Sequence, residues 1–562
     1  MSETMPAVMT TGEAVVESLR AHGIDTLYAL PGVHNDALFD AAQRAQGDAT
    51  HPHAGGGFRV LHPRHEQTSA YMALGAALVT GRAQAFAAVP GPGMLNTAAA
   101  LLTAYGMGAP VLALAGQIPS FAIDRGFGHL HELPDQLGLL RHMTKFAARI
   151  RAPQEAPGLV AEALAAATSG RPRPVALECA IDTWGERGPV VLHVPRAVAP
   201  PPIDADAVRR AAAILSRAQR PLIVVGGGAL DAGDALRAVA EKLEAPVSSF
   251  RRGRGALPTT HRLAVSFTEG HRLWQDADAV LAVGTRLYWQ QSNWGVDAGL
   301  PIVRIDADPE EPARFRPPAV GLVGDAAALL AALADELPAA ARPSRSAELA
   351  ALRTWFDERI GRLGPQLGFM RAIRAALPED GIFVEDVTQL GFVGRLAWPV
   401  GGPRRYLSPG YQDTLGWGFG AALGAQAALP GRAVVAVCGD GGFMYQAAEL
   451  ATAVRHNLPV VAVVFDDGAF GNVRRIQQQQ YGNRVIASDL ANPDFVRFAE
   501  SFGLRAWRAT TPAALEAALR DALAARAPAL IHVPVSEMPS PWDMILLPRV
   551  RGSADGARPA LP

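Results

Sequence analysis

Cysteine and lysine are nearly absent from this chain. Cys179 and Cys438 are the only cysteines in 562 residues. They rule out a disulfide framework, and a reducing, cytoplasmic location is expected. Lys145 and Lys242 are the only lysines among 52 basic side chains, so a Schiff-base mechanism is a poor starting expectation. An excess of either charge is also missing: 52 Lys and Arg against 53 Asp and Glu leave a net charge of −1. That balance offers no footprint for nucleic acid or an anionic membrane surface. No apolar run reaches about 18 residues without charge or turn signals, which excludes an ordinary membrane span. The opening MSETMPAVMTTGEAVVESLR lacks a basic segment followed by an apolar one, so no secretory leader is expected.

What the chain does have is alternation: a short apolar run, a glycine or proline turn, then a helical period. This pattern predicts α/β architecture with parallel sheets, and the length allows three or four domains. Thr11 is expected to cap a helix ending near Gly23. Strands are expected over 27–30, up to 61, and over 83–89 and 111–115, the last delivering Gln117. A helix after Pro63 carries Glu66, and 46–57 reads as a loop. Proline-rich 185–202 and 337–346 look like linkers, dividing the chain into 1–185, 203–335 and 350–562. The middle block holds strands over 222–225, 279–283 and 302–305. The third has fully apolar, β-branched runs over 434–437 and 460–465, as buried parallel strands require. No sequence repeat is visible.

The most informative stretch is VVAVCGDGGFMYQAAELATAVRHNLPVVAVVFDDGAFG, residues 434–471. One buried strand ends at Gly439-Asp440-Gly441-Gly442, and after a helix a second ends at Asp466-Asp467. A right-handed crossover puts both strand ends on one sheet edge, where open α/β sheets bind ligands. Glycines there let backbone amides approach a phosphate, and carboxylates suit a hard cation such as Mg²⁺. Two surface aspartates in ordinary turns are the alternative.

With its following strand, this segment resembles the fingerprint of thiamine diphosphate-dependent enzymes, in their acetolactate synthase-like and 2-oxo acid decarboxylase branch. The resemblance implies Mg²⁺ ligands at Asp440, Asp467 and the Ala469 carbonyl, with Asp467 where many members have Asn. Glu66, in RVLHPRHEQTSAYMALGAALVTGR, resembles the glutamate that shares a proton with the aminopyrimidine ring, a role that burial would favour. VPGPGMLNTAAALLTAYGMGAPVLALAGQIP resembles the segment whose glutamine, here Gln117, faces the reacting carbon. In SPGYQDTLGWGFG, Leu415 matches the aliphatic wedge under the thiazolium. The Asp413 carbonyl matches the acceptor for the exocyclic nitrogen, at a position where many members have glycine. Gln389 matches a diphosphate-side glutamine, although Leu390 stands where acetolactate synthases often have histidine. PGVHNDALFD, PRHEQ and GHLHELPDQ resemble the decarboxylase branch in particular.

The resemblance implies three doubly wound parallel-sheet domains: pyrimidine-binding (1–185), middle (203–335) and diphosphate-binding (350–562). It implies thiamine diphosphate and Mg²⁺ as cofactors and a small 2-oxo acid as substrate. The product would be an aldehyde or a ligated second carbonyl. The active unit would be a homodimer or homotetramer with sites at the subunit interface. His34 and His131 are candidate proton donors near the reacting carbon, with His129 nearby, and turn or loop histidines are the alternative. FAD remains open as a middle-domain ligand. Gly226, Gly227, Gly228, Gly284, Arg286, Asp306 and Asp308 fall where relatives contact it, but Gln290 replaces an expected second arginine. Two other readings are a flavin- or nucleotide-dependent oxidoreductase and a noncatalytic relative; the presence of Glu66 and Asp440 argues against the latter.

Overall fold

The computed structural model describes residues 6–46, 57–193, 195 and 199–552. Residues 47–56 of the expected loop, and 194 and 196–198 of the first expected linker, lie outside the described residues.

Three six-stranded sheets, all of their neighbouring strands parallel, organise the chain. In spatial order, the first runs Arg59–Leu61, Thr26–Ala29, Gln84–Ala88, Val111–Gln117, Val175–Ala180, Ala147–Ile150. The third runs Tyr406–Leu407, Ile382–Glu385, Val434–Gly439, Val460–Asp466, Ala529–Pro534, Arg505–Arg508. Numbered by chain position within each sheet, both have the order 2-1-3-4-6-5. The middle sheet is different: Ala264–Val265, Val247–Ser249, Pro221–Val225, Ala279–Val283, Ile302–Asp306, Val320–Val323. Its order is the 3-2-1-4-5-6 of dinucleotide-binding folds, with the direction reversing between Pro221–Val225 and Ala279–Val283.

Central strands such as Val111–Gln117 and Ala279–Val283 are buried along their whole length, which is why they read as unbroken apolar runs. The helix Glu66–Thr80 starts at His65, whose side chain accepts from the Gln67 amide. It crosses the helix Trp417–Ala428 at very close range. A Cβ on Gly75 would lie 2.0 Å from the Ala421 carbonyl oxygen, and one on Gly424 1.9 Å from that of Met72. Only glycine fits either position, and Tyr71, Leu74 and Leu423 fill the core around the crossing.

Two local expectations are corrected, and one further contact joins two domains. The first helix, Thr11–Ala21, is capped by Thr10 rather than Thr11, because Glu13 at the third helical position completes a reciprocal capping box with Thr10. The 185–202 segment is not all linker: Arg187–Val190 pairs antiparallel with Ala7–Thr10. Residues 544–548, after the last strand of the third sheet, reach the middle domain. The carbonyls of Met544 and Pro548 meet Thr268 (2.9 Å) and His271 (2.8 Å) of the middle domain, satisfying their buried polar atoms.

Candidate active site

In the third sheet the order reverses between Ile382–Glu385 and Val434–Gly439, and a cleft of about 330 Å³ opens at the carboxyl ends of those strands. Gln389, Asp413, Leu415, Asp440, Asp467 and Ala469 all line it, together with Gly439, Gly441 and Gly442. The structure thus gathers the entire predicted diphosphate and metal set into one place.

The donors there are hard oxygens. Burial pushes the Asp440 carboxyl up to about 6, and the charges of Asp467 and Asp466 add to the effect against a hydrogen bond from Asn492. Asp467 is also raised, chiefly by burial. Two partly desolvated carboxylates that repel each other are what a divalent cation would relieve. Among the described residues no group of three or more His, Cys, Asp or Glu forms a closed metal cage. Mg²⁺ retains waters and phosphate oxygens, so two carboxylates and a carbonyl suit it. The residues present fit thiamine diphosphate with Mg²⁺.

Asn492, missed by sequence reasoning, and Gln389, expected from it, hold this pair in place. The Asn492 amide donates to Asp440 (2.7 Å) and to Asp466 (2.8 Å), and Asp466 also meets His532 at 3.0 Å. Gln389 donates to Asp467 Oδ2 at 2.7 Å and accepts from the Met538 amide at 2.7 Å, fastening the 538–542 wall of the cleft to the Asp467 carboxylate. Asn492 lies outside the fingerprint, and no local spacing marks it.

Asp413 sits at φ 45°, in the left-handed region, which explains why glycine suits this position. Its carboxylate is taken up by two arginines. The Arg395 guanidinium grips both oxygens at 2.6 and 3.2 Å, and Arg251 of the middle domain reaches one at 2.9 Å. Burial opposes ionisation, yet Arg395 and Arg251 hold this carboxyl below the usual range.

The pyrimidine-side residues lie apart from this cleft. Glu66 is half-buried and accepts from the Asn96 amide at 3.0 Å; it does not line the third-sheet cleft of its own chain. The burial expected for Glu66 is therefore incomplete in one chain. Gln117 is buried and its amide is engaged: it donates to Glu178 at 3.3 Å and accepts from Ile118 at 2.8 Å. Glu178, fully buried, is neutralised by Arg149 at 2.5 Å and also accepts from Gln136. His34 and His131 come together, their rings stacked at 5.0 Å. The Leu130 carbonyl accepts from His34 Nε2 at 3.1 Å, and burial, then the charge of His131, lowers the His34 pKa. A neutral imidazole with Nδ1 open as an acceptor results.

The middle sheet's switch point opens a second cleft, of about 450 Å³. Gly226, Gly227, Gly228, Gly284, Arg286 and Asp306 line it as expected, as does Gln290, whereas Asp308 does not. Sequence reasoning missed most of its charge. Arg171 and Arg404 come from the flanking domains and join Arg251, Arg252 and Arg286. Burial, then repulsion from Arg404, Arg171 and Arg286, pulls the Arg252 pKa down to about 10.

Comparison with known proteins agrees with this geometry. Three thiamine pyrophosphate enzyme family models match in order: the N-terminal TPP binding domain over residues 9–139, the central domain over 208–333, and the C-terminal TPP binding domain over 386–533. The chain belongs to the thiamine pyrophosphate enzymes. Within them it is an acetolactate synthase-like enzyme acting on 2-oxo acids. It is 34% identical to a probable 2-ketoarginine decarboxylase of Pseudomonas aeruginosa, over 88% of each chain. Against an acetolactate synthase large subunit of Parasynechococcus marenigrum it is 31% identical, over 96% of this chain and 90% of the relative. Against acetolactate synthase isozyme 2 large subunit of Escherichia coli it is 30% identical, over 96% and 97%. The match supports neither the oxidoreductase nor the noncatalytic alternative.

Proposed function

We propose that this enzyme decarboxylates a 2-oxo acid with thiamine diphosphate and Mg²⁺, releasing an aldehyde by default and ligating a second carbonyl when one is abundant. The observation that carries this reading is the convergence of Asp440, Asp467, Leu415 and Asp413 at the switch point of the third sheet. When bound, the cofactor supplies a carbon nucleophile and an electron sink, and Mg²⁺ ties its diphosphate to the protein. Asp440, Asp467 and the Ala469 carbonyl would hold the cation, with Gln389 orienting Asp467. Leu415 would support the thiazolium side, and the Asp413 carbonyl would accept from the exocyclic amine. Glu66 would share a proton with the ring nitrogen opposite that amine. Gln117, His34 and His131 would face the reacting carbon, where the open Nδ1 of His34 would accept a proton and return it.

The site would form between subunits of a homodimer or homotetramer. Glu66 does not line its own chain's cleft, and the apolar side chains Val33, Phe121, Phe127 and Leu130 stand exposed on the pyrimidine-binding domain. The arginine-rich middle cleft suits a diphosphate-bearing nucleotide such as FAD. Two buried, unpaired cysteines, with no membrane-crossing helix among the described residues, suit a reducing cytoplasmic location. The test is CO₂ release by protein loaded with thiamine diphosphate and Mg²⁺, against pyruvate, benzoylformate, 2-ketoarginine and longer 2-oxo acids. Turnover of at least one substrate that depends on both cofactors is expected, and none on any substrate would refute the reading.

A further inference from the structure

We propose that Arg251 of the middle domain is a positioning residue for the cofactor, acting through Asp413. This inference rests on the functional reading above, in which the Asp413 carbonyl faces the aminopyrimidine.

The turn over 410–416 spans two clefts: Gly410 and Tyr411 line the arginine-rich middle cleft, and Asp413 and Leu415 line the diphosphate cleft. Its backbone is left-handed at Asp413, φ 45°, and at Gly416, φ 77°. Glycine takes such angles freely, and an aspartate takes them less readily. What holds it is a chain of alternating charge. Glu385, fully buried, accepts from Arg395 Nε at 2.7 Å, and the Arg395 fork grips Asp413. Arg251 then closes the far side of the same carboxylate at 2.9 Å. Two acids and two bases cancel along this line, and three of the four side chains are nearly or fully inaccessible.

Arg251 does more than neutralise. Its other terminal nitrogen donates to the Gly410 carbonyl, and its guanidinium lies 4.9 Å from the Tyr411 ring. It therefore grips the turn at two points three residues apart. Arg251 itself is at φ 50°, directly after the strand Val247–Ser249 and Phe250. A left-handed residue on the middle domain thus pins a left-handed residue on the diphosphate domain. Thr103 of the first domain adds a third hold, its hydroxyl 2.9 Å from that of Thr414. With aspartate at this left-handed position, the carbonyl's direction depends on this clamp.

Three variants test the idea: Arg251→Met, Asp413→Gly and the double substitution. Arg251→Met should weaken thiamine diphosphate binding in Mg²⁺ about tenfold, within the range for directly coupled neighbours. Binding is read by equilibrium dialysis. The circular dichroism band of the cofactor's imino tautomer should fade even at saturation, because the acceptor for the exocyclic nitrogen is misdirected. Adding Asp413→Gly to Arg251→Met should restore both readouts: glycine needs no clamp, and Arg395 keeps Glu385 as its partner. Wild-type affinity and spectrum in Arg251→Met would overturn the proposal. So would failure of the double variant to recover, since Arg251 would then act through domain packing alone. If Arg251→Met does not fold, Arg251→Lys keeps the charge and loses the fork. It should show the same loss in smaller measure, and wild-type behaviour in both readouts would overturn the proposal. If the unmodified protein bound no thiamine diphosphate, the functional reading itself would fall, an outcome distinct from any variant result.

Discussion

If each active site takes Glu66 from one subunit and Asp440 from another, two inactive variants should make an active mixture. Glu66→Gln keeps an acceptor for the Asn96 amide, which donates to Glu66 at 3.0 Å, so the local structure should persist. Its turnover should fall by about 10²–10⁴, the usual contribution of a lost acid–base group. Asp440→Ala removes one of two carboxylates from the cation site and should leave no cofactor retained. When the two proteins are dissociated together and reassembled as dimers, about half of the dimers pair unlike chains. In each of these, one of the two sites joins the intact Glu66 of one chain to the intact Asp440 of the other. The mixture should recover about a quarter of wild-type turnover, against about 1% or less for either parent. CO₂ release, with light scattering to confirm reassembly, reads the outcome. A reassembled mixture no more active than its parents would place Glu66 and Asp440 in the same chain's site and refute the interface argument.

Asp440→Ala should abolish Mg²⁺-dependent retention of thiamine diphosphate, whereas Asp467→Asn, which keeps an oxygen ligand, should hold the cofactor far better; equilibrium dialysis with and without Mg²⁺ compares them. His34→Ala and His131→Ala should shift the ratio of aldehyde to ligated product while leaving cofactor C2 proton exchange intact; unchanged product ratios would make the stacked pair structural. Asp386, fully buried beside Gly418 and Gly442, gives a pH prediction, because burial raises its pKa from 3.8 to about 7. A raised folded-state pKa means its stabilising share is complete below 3.8 and is lost as pH rises through about 7. The loss is at most about 4 kcal/mol. Asp386→Asn should flatten the fall in unfolding free energy between pH 5 and 8, and an unchanged slope in denaturant titrations would refute the assignment.

Elements whose cause is local were legible in the sequence. Unbroken β-branched runs marked Val434–Gly439 and Val460–Asp466, because a strand buried on both faces has no polar side to show. The gathering of Asp440, Asp467 and Ala469 in one cleft was legible too, because they follow strand ends and parallel topology sends both ends to one edge. Capping was misplaced by one residue, because Thr10 and Thr11 are chemically alike and only the reciprocal bond with Glu13 separates them.

Tertiary structure decided whatever depends on residues far apart in the chain. The first and third sheets share one strand order, yet no repeat shows in their sequences, since many apolar side chains satisfy the same buried strand. Asn492, Arg171 and Arg404 reach their clefts from other elements or domains, so no spacing could announce them. Asp413 carries the contrast furthest. The sequence alone determined that an aspartate occupies a turn where glycine is usual; folding decided that this is tolerable, by bringing Arg395 from 18 residues away and Arg251 from 162 to the same carboxylate. Local chemistry follows from neighbours along the chain, but the stability of a buried charge depends on which opposite charges the fold delivers to it.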